Sequence, residues 1–575
     1  MKPSHKKYIF ENAHKKSIRE IAEALNLKEK NVRKIIKEAQ RPLAPAANAN
    51  PKEHVEPKSE KLWIYYISIT LAGFFVYANV LASKFLFDDI GLIQDNVFIK
   101  NFSLWPKLFT QSIWAGAGVK NSFFVYRPLQ MSIYLIDYHL WRLNPLGYHL
   151  TNIMFHVFAA LVLFRLILTL FGNRTWAALT AFLFVVHPIH TEAVAYCAGL
   201  ADPLVAFFLF LSLLLYVKAL NDKKPVFYWT MGIFYLLALL SKEYGLVLLA
   251  LVSVYHYVFK KRFETQAVLV LAVFSTAYIV LRFCAARGFI APPPAVRADF
   301  FERLPGVFVS IAAYLRLLLF PVHLHMEYGA SLFSLADPAA LLGCALTAMW
   351  LIYTFRSRNK KPWLVFSTLW FFLALVPVSN LFPINAFMAE HWLYVPSVGF
   401  FLIAAKILTD FYENKSTRTV SILCALSILT VLASLTVRQN YYWKDAVTFY
   451  NQTLKYTPDA SRDYNNVGVE YKNQGKTQEA ITAFQKAIEI YPKYVEAYNN
   501  LGSVYQDAGQ NDKAIEYFSK AVEIKPDFAA GHHNLAIAYY YSDQPALAAN
   551  HFKKAKELGY PVNEKLSKFL EAYLT

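Results

Sequence analysis

Residues 492–526 read PKYVEAYNNLGSVYQDAGQNDKAIEYFSKAVEIKP, and the same pattern stands 34 residues to either side. Pro458, Pro492 and Pro526 mark the period. Gly468/Gly502/Ala536, Tyr471/Tyr505/Tyr539, Ala480/Ala514/Ala548, Phe484/Phe518/Phe552 and Ala487/Ala521/Ala555 follow it. Small residues at fixed spacing let two antiparallel helices approach, aromatic rings fill the gap between them, and proline ends the second helix.

This period and these residues are those of the tetratricopeptide repeat. Three full units are visible, and a half unit over 443–458, with Ala446 and Tyr450, joins them to the apolar run before it. Such units stack into a superhelix with a concave groove. Asn465, Asn466, Asn499, Asn500 and Asn534 recur on the first helix of each unit. An amide there can clamp an extended peptide backbone; the alternative is a solvated polar face. Residues 438–575 are therefore expected to be a protein-binding repeat domain.

Upstream the composition changes. The whole chain of 575 residues is 56% hydrophobic and only 17% charged, against roughly 25% charge in soluble proteins. That excludes disorder and an ordinary cytosolic enzyme. Residues 1–61 hold 15 Lys/Arg against 8 Asp/Glu, a net of +7, whereas 438–575 hold 16 of each. Most of the +18 net charge therefore sits in the apolar middle and is no nucleic-acid signature. Cys197, Cys284, Cys344 and Cys424 all lie in apolar runs without zinc spacing.

Residues 1–40 contain two short apolar faces, Ile18, Ile21 and Leu25, then Val32, Ile35 and Ile36, parted by a polar turn. That resembles a helix-turn-helix module. One module tethered to a membrane has few ways to reach DNA, so a basic cytoplasmic cap is the preferred reading and a nucleic-acid partner is disfavoured. Residues 41–61 are a Pro- and Ala-rich linker.

Residues 62–437 carry one apolar run after another. With roughly 20 residues needed per crossing, the candidates are 62–81, 146–171, 174–189, 202–220, 226–241, 243–259, 266–284, 337–355, 363–382, 392–409 and 419–437. The expected fold is all-α: a bundle of about eleven spans followed by the repeats. A basic N-terminus belongs in the cytoplasm. The loops at 172–174, 218–224, 260–262, 356–361 and 415–418, each with Lys or Arg, then fall inside, provided that 306–320, with Arg316 at its middle, does not cross. That run is read as a re-entrant or interfacial helix, and the C-terminus falls on the non-cytoplasmic side.

The outer loops carry Asp88, Asp89, Arg127, His187, His190, Glu192, Asp202, Lys242, Glu243, Glu390 and His391, with His149, Asn152 and His156 on one face of the second span. Ionisable groups at span ends are costly unless paired or hydrated, and a polar cavity open to the outer side accounts for the clustering. Asp88-Asp89 could act as a general base, hold a divalent cation, or both. One carboxylate is expected to face the cavity and the other to support it. Arg127, next to Pro128, suits a phosphate. His187 and His190 with Glu192 lack a helical metal-ligand geometry, so no tight metal site is expected.

Taken in order, Phe87-Asp88-Asp89, Tyr126-Arg127-Pro128-Leu129, VVHPIHTEAV (185–194), Gly199-Leu200-Ala201-Asp202, Ser241-Lys242-Glu243, Ala389-Glu390-His391 with LYVPS (393–397), and the C-terminal repeats resemble the transmembrane and tetratricopeptide-repeat O-mannosyltransferases, within the GT-C glycosyltransferases. The match covers 62–575. The N-terminal module lies outside it and suggests a bacterial member in the inner membrane, with periplasmic repeats. His391 stands where the family often has Arg, and Leu200 where it often has Arg. The resemblance implies a hexose, such as mannose, carried on polyprenyl phosphate and transferred with inversion to an acceptor hydroxyl, often Ser or Thr of a protein. It implies Asp88 or Asp89 as base, and Arg127, Lys242, Arg316 and His391 as candidate partners of the leaving phosphate. No resident cofactor is implied beyond the possible cation; the lipid-linked sugar is a substrate, and membrane lipids surround the bundle. A glycan or lipid acceptor is one alternative. A non-catalytic, membrane-anchored repeat scaffold is the other.

Overall fold

The computed structural model describes residues 17–25, 27, 29, 32, 61–118, 124–286, 298–329, 331–381, 384, 386–561 and 573. Among them the chain is all-helical. Near the N-terminus, Ile18–Ala24 is started by a reciprocal capping box between Ser17 and Glu20, and Ile21 and Ala22 bury with Val32. Most of the expected second helix of this module, and the linker, fall outside the described residues.

Six helices are long and apolar enough to cross a membrane: Leu62–Ala82, Pro145–Phe171, Cys197–Asp222, Thr265–Ala286, Pro338–Ser357 and Arg418–Tyr441. They make the chain an integral membrane protein. A seventh span is present if the pair Arg174–Val186 and Pro188–Ala195, bent by 51°, counts as one. Pro225–Ser241, Glu243–Phe259 and Pro362–Val378 are shorter apolar helices. The expectation of eleven crossings depends on these and on Ser397–Glu413. The run 306–320 belongs to a longer helix, Phe300–Leu319, opened by a capping box of Asp299 and Glu302.

Local chemistry sets the turns. Gly172 takes φ +70° and closes Pro145–Phe171, and the Asn173 side chain then caps Arg174–Val186 through the Trp176 N–H. Pro145–Phe171 packs on Arg174–Val186 and Cys197–Asp222, which in turn holds Pro225–Ser241. The connection between Leu62–Ala82 and Pro145–Phe171 carries more helix than its sequence suggests. Pro128–Trp141 is a helix there, opened by Pro128 and burying Met131, Tyr134 and Leu135. The aromatic stretch before it forms the short helices Val97–Lys100 and Phe102–Phe109, with Phe102 and Trp105 exposed.

Three helix pairs follow: Ser461–Asn473 with Thr477–Ile490, Val495–Asp507 with Asn511–Ile524, and Ala529–Tyr541 with Pro545–Glu557. The half unit is Ala446–Leu454. A Cβ at Gly468 or Gly502 would come within 2.7 or 2.8 Å of the Phe484 or Phe518 ring, which is why these positions stay small. The apolar core of the membrane bundle is continuous with Trp443, Phe449, Tyr450, Val467 and Ala483, so the first unit is built onto the bundle.

Candidate functional site

The site starts from a short strained turn after the first span. Phe87 holds φ +51°, a left-handed conformation that costs a non-glycine residue about 1–2 kcal/mol. The two carboxylates that follow are treated differently. Asp89 is 1% exposed. Its Oδ1 accepts the Ala198 N–H at 2.7 Å and its Oδ2 the Leu86 N–H at 3.1 Å. Both oxygens are thus occupied in bracing the turn. Asp88 is half-buried. Its N–H donates to the Tyr196 hydroxyl at 2.9 Å. Burial raises the Asp88 carboxyl above the ordinary range, against the opposing Tyr196 hydrogen bond and the charges of Arg462 and Arg127.

The segment 194–198, on which this turn rests, is the junction at Tyr196 between the short helices Thr191–Ala195 and Cys197–Leu200, and its backbone carbonyls are claimed by side chains. Asn152 Nδ2 donates to the carbonyls of Tyr196 at 2.7 Å and Val194 at 3.3 Å. Gln130 Nε2 donates to the Ala198 carbonyl at 3.0 Å and the Tyr134 hydroxyl to that of Cys197 at 2.8 Å. The His149 ring meets Cys197 Sγ at 3.4 Å. Buried backbone acceptors need such partners, so His149 and Asn152 hold the frame of the Asp88 turn.

His187 and His190 sit at the bend of the broken helix pair and do not converge on Asp88. His187 Nδ1 accepts the Ile189 N–H at 3.1 Å, and its Nε2 meets the Leu318 carbonyl at 3.2 Å. His190 bridges the Phe184 carbonyl at 2.8 Å and Ser397 Oγ at 3.1 Å. His156 bonds Tyr394 and the Val185 carbonyl.

Two further groupings are formed. Glu192 accepts from His391 twice, Oε1 to Nδ1 at 2.7 Å and Oε2 from the backbone N–H at 3.0 Å. Beside it, Glu390 Oε1 accepts the His325 N–H and the Tyr328 hydroxyl, both at 2.6 Å. Burial and the adjacent Glu192 carboxylate push the Glu390 carboxyl well up, while the Arg316 charge pulls it down. In the other grouping Lys242 Nζ meets Asp202 Oδ1 at 2.6 Å, both buried, and Glu243 pairs with Arg282 at 3.6 Å. The Arg127 charge acts on both Asp88 and Glu243. Among the described residues its buried Nε has no hydrogen-bond partner, so this guanidinium keeps a donor for an anion. Among the described residues no group of three or more His, Cys, Asp or Glu could hold a metal ion.

In the repeats the asparagines bond one another across units: Asn500 Nδ2 to Asn465 Oδ1 and Asn534 Nδ2 to Asn499 Oδ1, each at 2.9 Å. Asn466 lies 3.4 Å from the Asn465 amide. Sequence reasoning passed over Tyr196, Arg282, His325, Glu327, Tyr328 and Arg462. Tyr196 adjoins a motif it had read; nothing local marks the others.

A membrane helix bundle with a framed carboxylate turn, continued by tetratricopeptide units, defines the class. The families described as TPR repeat and Tetratricopeptide repeat match residues 468–509 and 495–528. A protein O-mannosyl-transferase of Caenorhabditis elegans is 27% identical over 464 residues, covering 75% of this chain and 63% of that one. The human protein O-mannosyl-transferase TMTC3 is 25% identical over 449 residues, 69% of this chain and 48% of its own. Human TMTC1, of the same printed activity, is 26% identical over 469 residues, 70% and 52%. The chain is thus a homologue of the tetratricopeptide-repeat protein O-mannosyl-transferases over about 70% of its length. It spans about half to two-thirds of the length of these relatives. Among solved structures, MamA matches at 24% identity and a TM-score of 0.19 over 29% of this chain and 90% of that one; at that score the likeness carries no argument.

Proposed function

We propose that this chain is an integral-membrane, inverting glycosyltransferase of GT-C type. It moves a hexose, in the first instance mannose, from a polyprenyl-phosphate donor to a Ser or Thr hydroxyl of a protein on the non-cytoplasmic face. The homology supports the reaction class. The observation that carries the reading is a half-buried Asp88, framed by the pinned Asp89, on which the charge of a half-buried Arg127 acts, the Nε of that Arg127 retaining a donor.

In one inverting step the acceptor oxygen attacks the anomeric carbon as its proton passes to Asp88. The bond from that carbon to the phosphate oxygen breaks, and the lipid phosphate leaves with the electron pair. Transfer of this kind needs a base with a pKa raised toward working pH, and burial acts on Asp88 in that direction. Charge developing on the leaving phosphate needs preplaced donors. Of the four candidates, Arg127 is the one whose charge acts on Asp88. Arg316 and His391 belong to the Glu390–Glu192 grouping, and Lys242 is engaged with Asp202. Asp89, with both oxygens on backbone N–H groups, supports the turn.

The test is incubation of membranes holding the full chain with polyprenyl-phosphate mannose, followed by mass spectrometry of co-expressed secreted proteins. Hexose on Ser/Thr peptides that vanishes with Asp88→Asn supports the reading. Unchanged hexose in that variant, or none with the native chain, overturns it.

A further inference from the structure

We propose that Arg462, on the first tetratricopeptide unit, is a positioning residue of the transfer site, so that the repeat domain completes the site instead of merely standing beside it. The inference rests on Asp88 being the base. Arg462 is the second residue of Ser461–Asn473. Its Nη2 bonds Glu327 Oε2 at 2.7 Å, and its guanidinium carbon stands 5.9 Å from the centre of the Phe87 ring. Phe87 is the strained residue immediately before Asp88. Left-handed backbone at such a residue persists only where its surroundings over-determine it. Arg462 and the Tyr196 ring, the latter at 6.4 Å, both pack on Phe87.

The loop 321–329 ties the first unit, and the half unit before it, to the second carboxylate grouping. Glu327 takes Arg462, and the His325 ring stacks on Tyr456 at 5.0 Å and 14°. From the same loop the His325 N–H and the Tyr328 hydroxyl hold Glu390. The seam is closed below by the Lys84 N–H on the Lys444 carbonyl at 2.9 Å and by Tyr196 against Trp443 at 5.4 Å. A side chain of the repeats therefore touches what sets the Asp88 turn, and it does so through a charge.

The groups acting on Asp88 are the neighbouring Asp89, Tyr196, Arg127 and Arg462, with Glu327 and Asp463 next to Arg462. The experiment measures the pH-rate profile of mannose transfer to a Ser/Thr peptide by the full chain in detergent. A base works deprotonated, so the rate rises with pH along the acid limb. Removing a nearby cation makes that deprotonation harder. Arg462→Gln is expected to lower kcat/KM about tenfold and move the acid limb to higher pH, and Arg462→Lys to return the limb toward its native position. An unmoved limb in Arg462→Gln overturns the proposal. Should Arg462→Gln fail to fold, Glu327→Gln takes its place: loss of that negative charge moves the limb to lower pH, and an unmoved limb overturns the proposal. Asp88→Asn is run alongside. If it keeps full activity, the functional reading itself fails; if it is inactive while the Arg462 or Glu327 limb stays put, only this inference fails.

Discussion

The membrane bundle and the repeat stack use polar side chains in opposite ways. In the repeats the register is set by small residues against rings, and polar groups repeat with the period: Asn500 bonds Asn465 and Asn534 bonds Asn499 with the same atoms at the same distance. In the bundle several buried polar groups collect at the 187–200 break and the 83–89 turn and serve backbone carbonyls or N–H groups there, Asn152 two of them and Asp89 two. A periodic element satisfies its own backbone, whereas an irregular one buried in a bundle must borrow partners. That borrowing leaves Asp88 held in place but not used up.

The sharpest way to break this comparison is at the paired carboxylates. Asp88→Asn is expected to reduce transfer by about 10²- to 10⁴-fold, the range of a lost general base, with little change in thermal unfolding. Asp89→Asn should instead lower the unfolding temperature in detergent. It loses one of two charge-assisted bonds, each worth roughly 1.5–3 kcal/mol. If the two variants behave alike, the division of labour is wrong.

Next in size is the buried pair. Asp202→Asn leaves Lys242 as an unmatched charge, a loss of about 3–5 kcal/mol for such sites, read as a fall in thermal stability. The repeats offer the contrast. Gly502→Val drives a methyl into the Phe518 ring, and overpacking of this kind costs about 1–3 kcal/mol. Limited proteolysis should then cut first within 495–524. The pH profile sharpens the same picture. Because burial raises Asp88, the acid limb of native transfer should have its midpoint above the free aspartate value of about 3.9, and a midpoint at or below that value would remove Asp88 from the role. The smallest effect is in the ladder. Asn500→Ala should cost about 1 kcal/mol, the net worth of one hydrogen bond, measured by chemical unfolding of the full chain.

The amino-acid sequence determined what is periodic or compositional. The 34-residue spacing specified each helix pair, because ring against glycine is a local rule repeated. Apolar run length marked the six helices long enough to cross, because hydrocarbon thickness is fixed, while the expected eleven also counts a bent pair and shorter helices. The motif Asp88-Asp89, and the expectation that one of them supports the other, could also be read there, since successive side chains diverge. Only the tertiary structure shows which carboxylate is pinned: Asp89 accepts N–H groups from Leu86 and from Ala198, the latter 109 residues away. It also showed that His149, Asn152, His187 and His190 mostly hold backbone, that Pro128–Trp141 is a helix, and that Arg462 reaches Phe87 from another domain. Those facts depend on contacts between segments far apart in the chain, where no local spacing carries a signal.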